Sequence, residues 1–293
     1  MQTNHYNVAG HAFIVNLPEG EGRISLISYE PFAVVDSVAD DNCLFTLTVD
    51  DSFHPLIKGE LVGKFDCGAA DFGVYRLADG GYQILVGPPG GQYCALMQTT
   101  ADFSEGIIAT RGEHSIRSFA VNNALMLMYA FSAATKGTLL IHASVIANKG
   151  YGYLFLGKSG TGKSTHSNLW LKHVEGSELL NDDNPVIVIT ESDIRVYGSP
   201  WSGKTPCYKN LSATIGAFVR IKQEPENHIC RELPLQSFAV LLPSMSTMKW
   251  DKRIYDGVCS SVSQLVERVP LYTLGCRPDR EAAEVCSAAI MSL

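Results

Sequence analysis

Gly157 through Ser164 read GKSGTGKS and fill every fixed position of the pattern G-x-x-x-x-G-K-[ST]. A loop of this kind turns tightly and presents backbone N–H groups to phosphate oxygens, which requires glycine. Its setting suits that use. Tyr151-Gly-Tyr-Leu-Phe-Leu156 before it is a short apolar run fit for a buried strand. Thr161 to Val174 after it can form a helix, which Gly176 is placed to end. The helix N-terminus adds partial positive charge at the same point. On this reading Gly157, Lys158, Ser159, Gly160, Thr161, Gly162 and Thr165 wrap the phosphates. Lys163 reaches the β- and γ-phosphates, and Ser164 ligates Mg²⁺ through its hydroxyl. The expected ligand is a nucleoside triphosphate, ATP with Mg²⁺.

Chemistry needs more than a cradle: a second metal ligand, and a group that takes up the acceptor's proton. Asp182 and Asp183 lie eighteen and nineteen residues after Ser164, at the end of the apolar Leu179-Leu180 run. A carboxylate on a strand next to the loop's own strand is where an acidic side chain holds Mg²⁺. On a regular extended chain the two neighbours point to opposite faces, so only one meets the ion unless the backbone is irregular. As mere turn formers in the sequence NDDN they would carry no chemistry. His142, in Leu139-Leu-Ile-His-Ala-Ser144, is the next candidate. Placed on a strand beside the loop's strand, its ring would face the phosphates as a proton acceptor or, protonated, as a charge stabiliser. A purely structural histidine is the competing reading. Lys204 ends the loop Gly198-Ser-Pro-Trp-Ser-Gly-Lys204, where a mobile cation near Trp201 could approach a terminal phosphate or an acidic acceptor. His166 and His173, on the helix after the glycine loop, read as facing solvent or the sheet.

The elements that must position these groups are legible as alternating apolar runs. Residues 1–112 read as a β-rich domain, with strands expected at Phe13–Leu17, Arg23–Ile27, Leu44–Val49, Val74–Leu77 and Tyr82–Val86. Asp79-Gly80-Gly81 suits a hairpin turn, and Gly87-Pro-Pro-Gly-Gly91 a second turn. His5, His11 and His54 stand alone there, without a partner motif. The period turns helical over 113–135, a connecting helix whose apolar centre is too short for the roughly 20 residues a bilayer needs. The second domain, 136–293, opens with strands at Thr138–Ala147 and Tyr151–Leu156 around a turn at Asn148-Lys149-Gly150. Strands follow at Pro185–Ile189, from Arg195, at Ile215–Ile221 and at Val269–Leu274, with helices over Leu235–Leu242, 250–268 and 279–292.

Composition narrows the function classes. At 293 residues, with 46% hydrophobic and 18% charged, the chain suits two ordinary globular cores. A net charge of −7 argues against nucleic acid as a partner, and the absence of any basic cluster argues against an anionic membrane surface. Eight cysteines are scattered without a C-x-x-C pair, unlike a zinc site or a compact disulfide framework. The opening residues MQTNHYNVAGH lack a basic start followed by an apolar stretch, so reduced thiols in the cytoplasm are expected.

Taken together, His142-Ala143, the run LFLGKSGTGKST and Asp182-Asp183 resemble the HPr kinase/phosphorylase family, whose nucleotide-binding core is shared with phosphoenolpyruvate carboxykinases. The resemblance covers about residues 136–290. It extends to Ile215–Arg220, Asn227, Leu235–Leu242 and the closing run VPLYTLGCRPD. It implies an α/β fold in which the β-rich N-terminal domain precedes a mixed-sheet P-loop kinase domain. It also implies ATP- and Mg²⁺-dependent phosphorylation of a serine, with Asp182 handling the hydroxyl's proton, Asp183 supporting the metal with Ser164, and His142 beside them. A homo-oligomer is implied as well, since such proteins often assemble. The chain lacks that family's Arg/Glu-bearing signature after the acidic pair, and its N-terminal half reads differently. The expected acceptor is therefore a hydroxyl on another protein, a peptide or a small molecule. A non-catalytic nucleotide-dependent binding module is the alternative. A carboxykinase-like enzyme is the weaker one, as it needs a substrate-binding arginine and nothing chooses among Arg195, Arg220 and Arg231.

Overall fold

The computed structural model describes residues 1–19, 24–34, 43–66, 70–203 and 205–291. They divide into two units, Met1–Ala133 with Met248–Asp251, and Ala134–Thr247 with Lys252–Leu293.

In the first unit eight described strands form one sheet: β1 (Gln2–Val8), β2 (His11–Leu17), β3 (Thr46–Val49), β4 (Glu60–Asp66), β5 (Asp71–Arg76), β6 (Tyr82–Gly87), β7 (Ala95–Thr99) and β8 (Glu105–Thr110). Their order is β1-β2-β3-β8-β7-β6-β5-β4, antiparallel except where β3 runs parallel to both β2 and β8. Helix α1 (His114–Ala133) packs on this sheet, burying an almost continuous apolar run from Ala120 to Ala133. Phe13 and Phe45 stack at 4.7 Å in the core, and Phe103 meets Phe131 at 5.2 Å. The expected turn at Asp79 forms: Gly81 N–H donates to Asp79 Oδ1 at 2.9 Å.

The strand expected at Arg23–Ile27 does not form over its described residues. Arg23 lies outside them, Ile24 to Leu26 are irregular, and Ile27–Phe32 is a 3₁₀ turn. Two local bonds account for this. Ser25 N–H donates to Ser118 Oγ at 2.8 Å, and Tyr29 N–H turns back to the Leu26 carbonyl at 2.9 Å. Tyr29 is then buried, with its hydroxyl on Asn122 Oδ1 at 3.0 Å.

The second unit contains β9 (Thr138–Leu140), β10 (Ala143–Asn148), β11 (Tyr151–Leu156), α2 (Lys163–His173), β12 (Ser177–Asp183), β13 (Val186–Ile189), β14 (Ile194–Tyr197), β15 (Ser212–Gln223), β16 (His228–Arg231), α3 (Pro234–Leu241), α4 (Lys252–Arg268), β17 (Leu271–Cys276) and α5 (Arg280–Ile290). The sheet runs β12-β10-β11-β15-β14-β13-β9, and β17 pairs with the far half of β15 and carries β16 on its other side. Among the described strands of this sheet, the neighbouring pairs β11–β15 and β15–β17 are parallel and the other pairings antiparallel, so the sheet is mixed. The protein is thus α/β, with two mixed sheets. No described helix is long and apolar enough to cross a membrane.

Strand Thr138–Ala147 is two strands rather than one. Ile141 N–H bonds the Pro185 carbonyl, in register with the β9–β13 pairing, whereas His142 N–H bonds the Ser244 carbonyl, which takes His142 out of the ladder. Before the break β9 pairs with β13; after it β10 pairs with β11 and β12. The chain changes neighbours at His142. On one face of the sheet, Trp170 of α2 fills the space between Tyr153 and Phe155, with Ala282, Ala283 and Cys286 of α5 in the same cluster. Trp170 is fully buried, whereas Leu171 beside it is 40% exposed. Trp170→Ala is expected to cost about 3–5 kcal/mol in the unfolding transition of this unit, against roughly 0.5 kcal/mol or less for Leu171→Ala. Urea titration of both variants measures the difference.

Candidate functional site

The glycine loop joins β11 to α2, and two glycines explain its shape. A Cβ at Gly157 would lie 2.3 Å from Thr161 Oγ1, so the loop closes this tightly only without one. Thr161 in turn fixes the turn, its hydroxyl donating to the Lys158 carbonyl at 2.8 Å. Gly162 starts α2 at φ +103°, a left-handed conformation that a side chain would strain. No side chain among the described residues caps α2, which leaves its first N–H groups open to an external acceptor. Lys158, Ser159 and Gly160 are exposed; Thr165 follows Ser164 on the first turn, also exposed.

Five side chains meet at the base of this loop. Ser164 Oγ donates to Asp182, 3.1 Å from Oδ1 and 3.2 Å from Oδ2. Lys163 Nζ donates to the Gly157 carbonyl at 2.9 Å and lies 2.8 Å from His142 Nε2. An ammonium group only donates, so Nε2 is the acceptor and the ring proton sits on Nδ1. Nδ1 faces Asp183 Oδ1 at 3.0 Å. The result is a chain, Lys163 to His142 to Asp183, beside a second contact, Ser164 to Asp182. Burial pulls the Lys163 pKa below its ordinary value, against the opposing pull of Asp183 and then Asp182.

The backbone makes this convergence feasible. β12 pairs with β10, not with the loop's strand β11, so the acidic pair sits one strand further out than its motif suggests. Asp182 lies opposite Ser144 and Asp183 opposite Ala143, next to the break that holds His142. Asp183 adopts φ +142°, outside the regular extended range and uncommon for a residue with a side chain. This irregularity lets two adjacent carboxylates serve one site instead of opposite faces. Asp182 is 5% exposed, and its carbonyl accepts from Gly203 N–H and from Ser202 Oγ at 3.2 Å. Behind it, Asn181 Nδ2 donates to Ser199 Oγ at 3.2 Å. The loop flagged for its cation therefore touches the acidic pair through Ser202 and Gly203, and the flanking Asn181 and Asn184 through Ser199. Lys204 lies outside the described residues.

Sequence reasoning missed these loop contacts, as it missed the buried Ser144–Ser167 hydroxyl pair at 2.7 Å. Serine in a strand or helix carries no distinguishing signal, so none could have been found from spacing. Of the two alternatives for His166, the sheet-facing one holds: it is 2% exposed, packed edge-on against Phe155. Beside Gly160–Gly162 opens a cleft of about 530 Å³, reaching the ends of β15 and β17.

The residues fit a hydrated Mg²⁺. No described group of three or more His, Cys, Asp or Glu side chains is arranged to hold a metal by itself. A Mg²⁺ ion carried on phosphates needs only one or two protein oxygens, and Ser164 Oγ with the Asp182 carboxylate supply that set.

No protein-family model matches the chain, and no curated protein matches it in sequence. Among solved structures, the Hpr(Ser) kinase/phosphatase from Coxiella burnetii is similar over 52% of this chain and 88% of its own, at 12% identity and a TM-score of 0.32. That is a weak structural relation, and the reading of the site stands on its own geometry.

Burial lowers the His166 pKa from 6.5 to about 4. The unfolded chain takes up a proton below 6.5 while the folded ring resists it down to about 4. The neutral ring's contribution is complete above pH 6.5 and is lost towards pH 4, roughly 3 kcal/mol in all. Urea unfolding at pH 7 and pH 4.5 is expected to show that loss in the wild type and a correspondingly flatter dependence in His166→Phe. Equal pH slopes would contradict it.

Proposed function

We propose that the second unit is an ATP- and Mg²⁺-dependent phosphotransferase acting on a hydroxyl group. One observation supports this above the others: the Ser of the glycine loop contacts Asp182 directly, and the Lys of the loop reaches Asp183 through His142. A loop that only turned the chain would need no carboxylates below it. The open N–H groups at the start of α2, with the Gly157–Ser164 backbone, would hold the phosphates. Mg²⁺, when bound, would offset the charge on the β- and γ-phosphate oxygens.

The contacts favour a division of labour opposite to the one the family resemblance implies. Asp182, buried and bonded to Ser164, belongs with the metal. Asp183, half-buried and linked through His142 to Lys163, belongs with the acceptor. In the proposed step the acceptor hydroxyl gives its proton to Asp183, its oxygen bonds the γ-phosphorus, and the bond to the β-phosphate oxygen breaks to release ADP. His142 keeps the carboxylate oriented and in electrostatic contact with Lys163, which on releasing its bond to the Gly157 carbonyl would turn to the terminal phosphate. The acceptor would be a serine of a protein or peptide, or a small hydroxylated molecule.

Transfer of ³²P from [γ-³²P]ATP to a panel of peptides and small hydroxylated compounds, paired with calorimetric ATP binding, tests the reading. Lys163→Ala is expected to abolish binding or turnover. Asp183→Asn should retain ATP affinity and lose roughly 10²-fold in rate, the scale of a missing general base. Asp182→Asn should instead raise the Mg²⁺ concentration needed for half-maximal rate. Tight ATP binding with neither transfer nor hydrolysis would favour a binding module.

A further inference from the structure

We propose that Ser202 is a phosphoryl acceptor built into the chain, modified by the site of the same molecule. This rests on reading the second unit as a phosphotransferase, and it names one hydroxyl that the reaction reaches. Ser202 lies opposite Asp183 in an isolated antiparallel bridge, so the loop 199–203 runs along the end of β12. Contact there is close. A Cβ on Gly203 would stand 3.1 Å from Asp183 Cβ and 3.3 Å from its Cγ. Ser202 Oγ donates to the Asp182 carbonyl at 3.2 Å, and the Asp182 carboxylate in turn holds Ser164. One residue therefore separates this hydroxyl from the group assigned to the metal and its phosphates.

Its surroundings set Ser202 apart from the other serines near the acidic pair. Ser144 and Ser167 bond each other at 1% exposure or less, and Ser199 is fully buried. Ser164 is taken by the metal. Ser202 is half-buried, and its proton goes to carbonyls, that of Asp182 and that of Thr205 at 2.6 Å. Among the described residues none donates to its oxygen, so the lone pairs are open to phosphorus. The loop is anchored on both sides of it. Trp201 is 2% exposed with its backbone N–H on Ser199 Oγ at 3.2 Å, and Gly203 N–H bonds the Asp182 carbonyl. A nucleophile tethered in this way needs no encounter with a partner, which raises its effective concentration.

In the step, Ser202 Oγ turns about its Cα–Cβ bond from the carbonyls to the γ-phosphorus. Asp183 takes the hydroxyl proton, the new O–P bond forms, the bond to the bridging β-phosphate oxygen breaks, and ADP leaves. The product would place about −1.5 to −2 of charge against Asp182 and Asp183. Repulsion then disfavours a second triphosphate, so the modification would switch its own site off.

Incubation of the full chain with Mg²⁺ and [γ-³²P]ATP, followed by peptide mapping with mass spectrometry, tests the assignment. The expected result is phosphoserine at position 202, formed at a rate per chain that is independent of protein concentration. A size-tagged Asp183→Asn chain mixed with the wild type should stay unlabelled while the wild type fills, although its Ser202 is intact. Ser202→Ala should lose the label. Ser202→Thr, which keeps a hydroxyl there, should carry it as phosphothreonine and serves if the alanine variant does not fold. Label in the tagged Asp183→Asn chain would overturn the intramolecular route. Label only on another residue would overturn the inference, as would ATP hydrolysis or transfer to an added acceptor with the chain itself unlabelled; both leave the phosphotransferase reading standing. ATP bound but never turned over, or not bound at all, would overturn both.

Discussion

The contact between the glycine loop and the acidic end of β12 is the constraint around which the second unit is organised. Bringing two neighbouring carboxylates to one place conflicts with the alternation of an extended strand. The chain resolves this with an unusual φ at Asp183, and with hydrogen bonds from Ser202 and Gly203 that hold the Asp182 carbonyl. Non-glycine residues in such conformations persist only where the surroundings over-determine them. Here those surroundings are the ladder to β10, the loop 199–203 and the ring of His142.

The break at Ile141-His142 follows the same logic. A continuous strand over 138–147 would have bound His142 into the ladder and fixed its ring on one face. Because the His142 N–H bonds the Ser244 carbonyl instead, the ring lies between Lys163 and Asp183. Polar groups that are costly to bury are thereby paired with one another. The lowered Lys163 pKa records what remains of that cost. Sites arranged for chemistry carry strain and partial burial of this kind more often than structural turns do.

Local signals in the sequence were enough for elements whose apolar period is strong. Helices α1, α4 and α5, strands β6, β11, β13 and β15, and the turn at Asp79 all follow from spacing and turn residues. Strands β1, β7, β8 and β16 escaped because their residues are polar or mixed and become strands through pairing, as Gln2–Val8 does along β2. The stretch after Arg23 looks like a strand locally but is diverted by a distant hydroxyl, Ser118. Tertiary context outweighs propensity in both cases. At the site, residue types and spacing sufficed to single out Lys163, Ser164, His142, Asp182 and Asp183. Which carboxylate meets which partner depended on one backbone angle and a strand break, and neither leaves a mark in composition. The cleft was equally illegible, since its walls come from three elements more than fifty residues apart in places, each apolar for reasons of the core.

The account's central claim is that the acidic pair divides between metal and acceptor. A crystal structure with Mn²⁺ and a non-hydrolysable ATP analogue tests it most directly, because the ion is located by its anomalous scattering. The expected result is an ion beside the phosphates within about 2 Å of the Ser164 hydroxyl, with Asp182 its carboxylate neighbour, directly or through one water, and Asp183 turned to the terminal phosphate next to His142. An ion ligated by Asp183, or a triphosphate bound away from Gly157–Ser164, would contradict it.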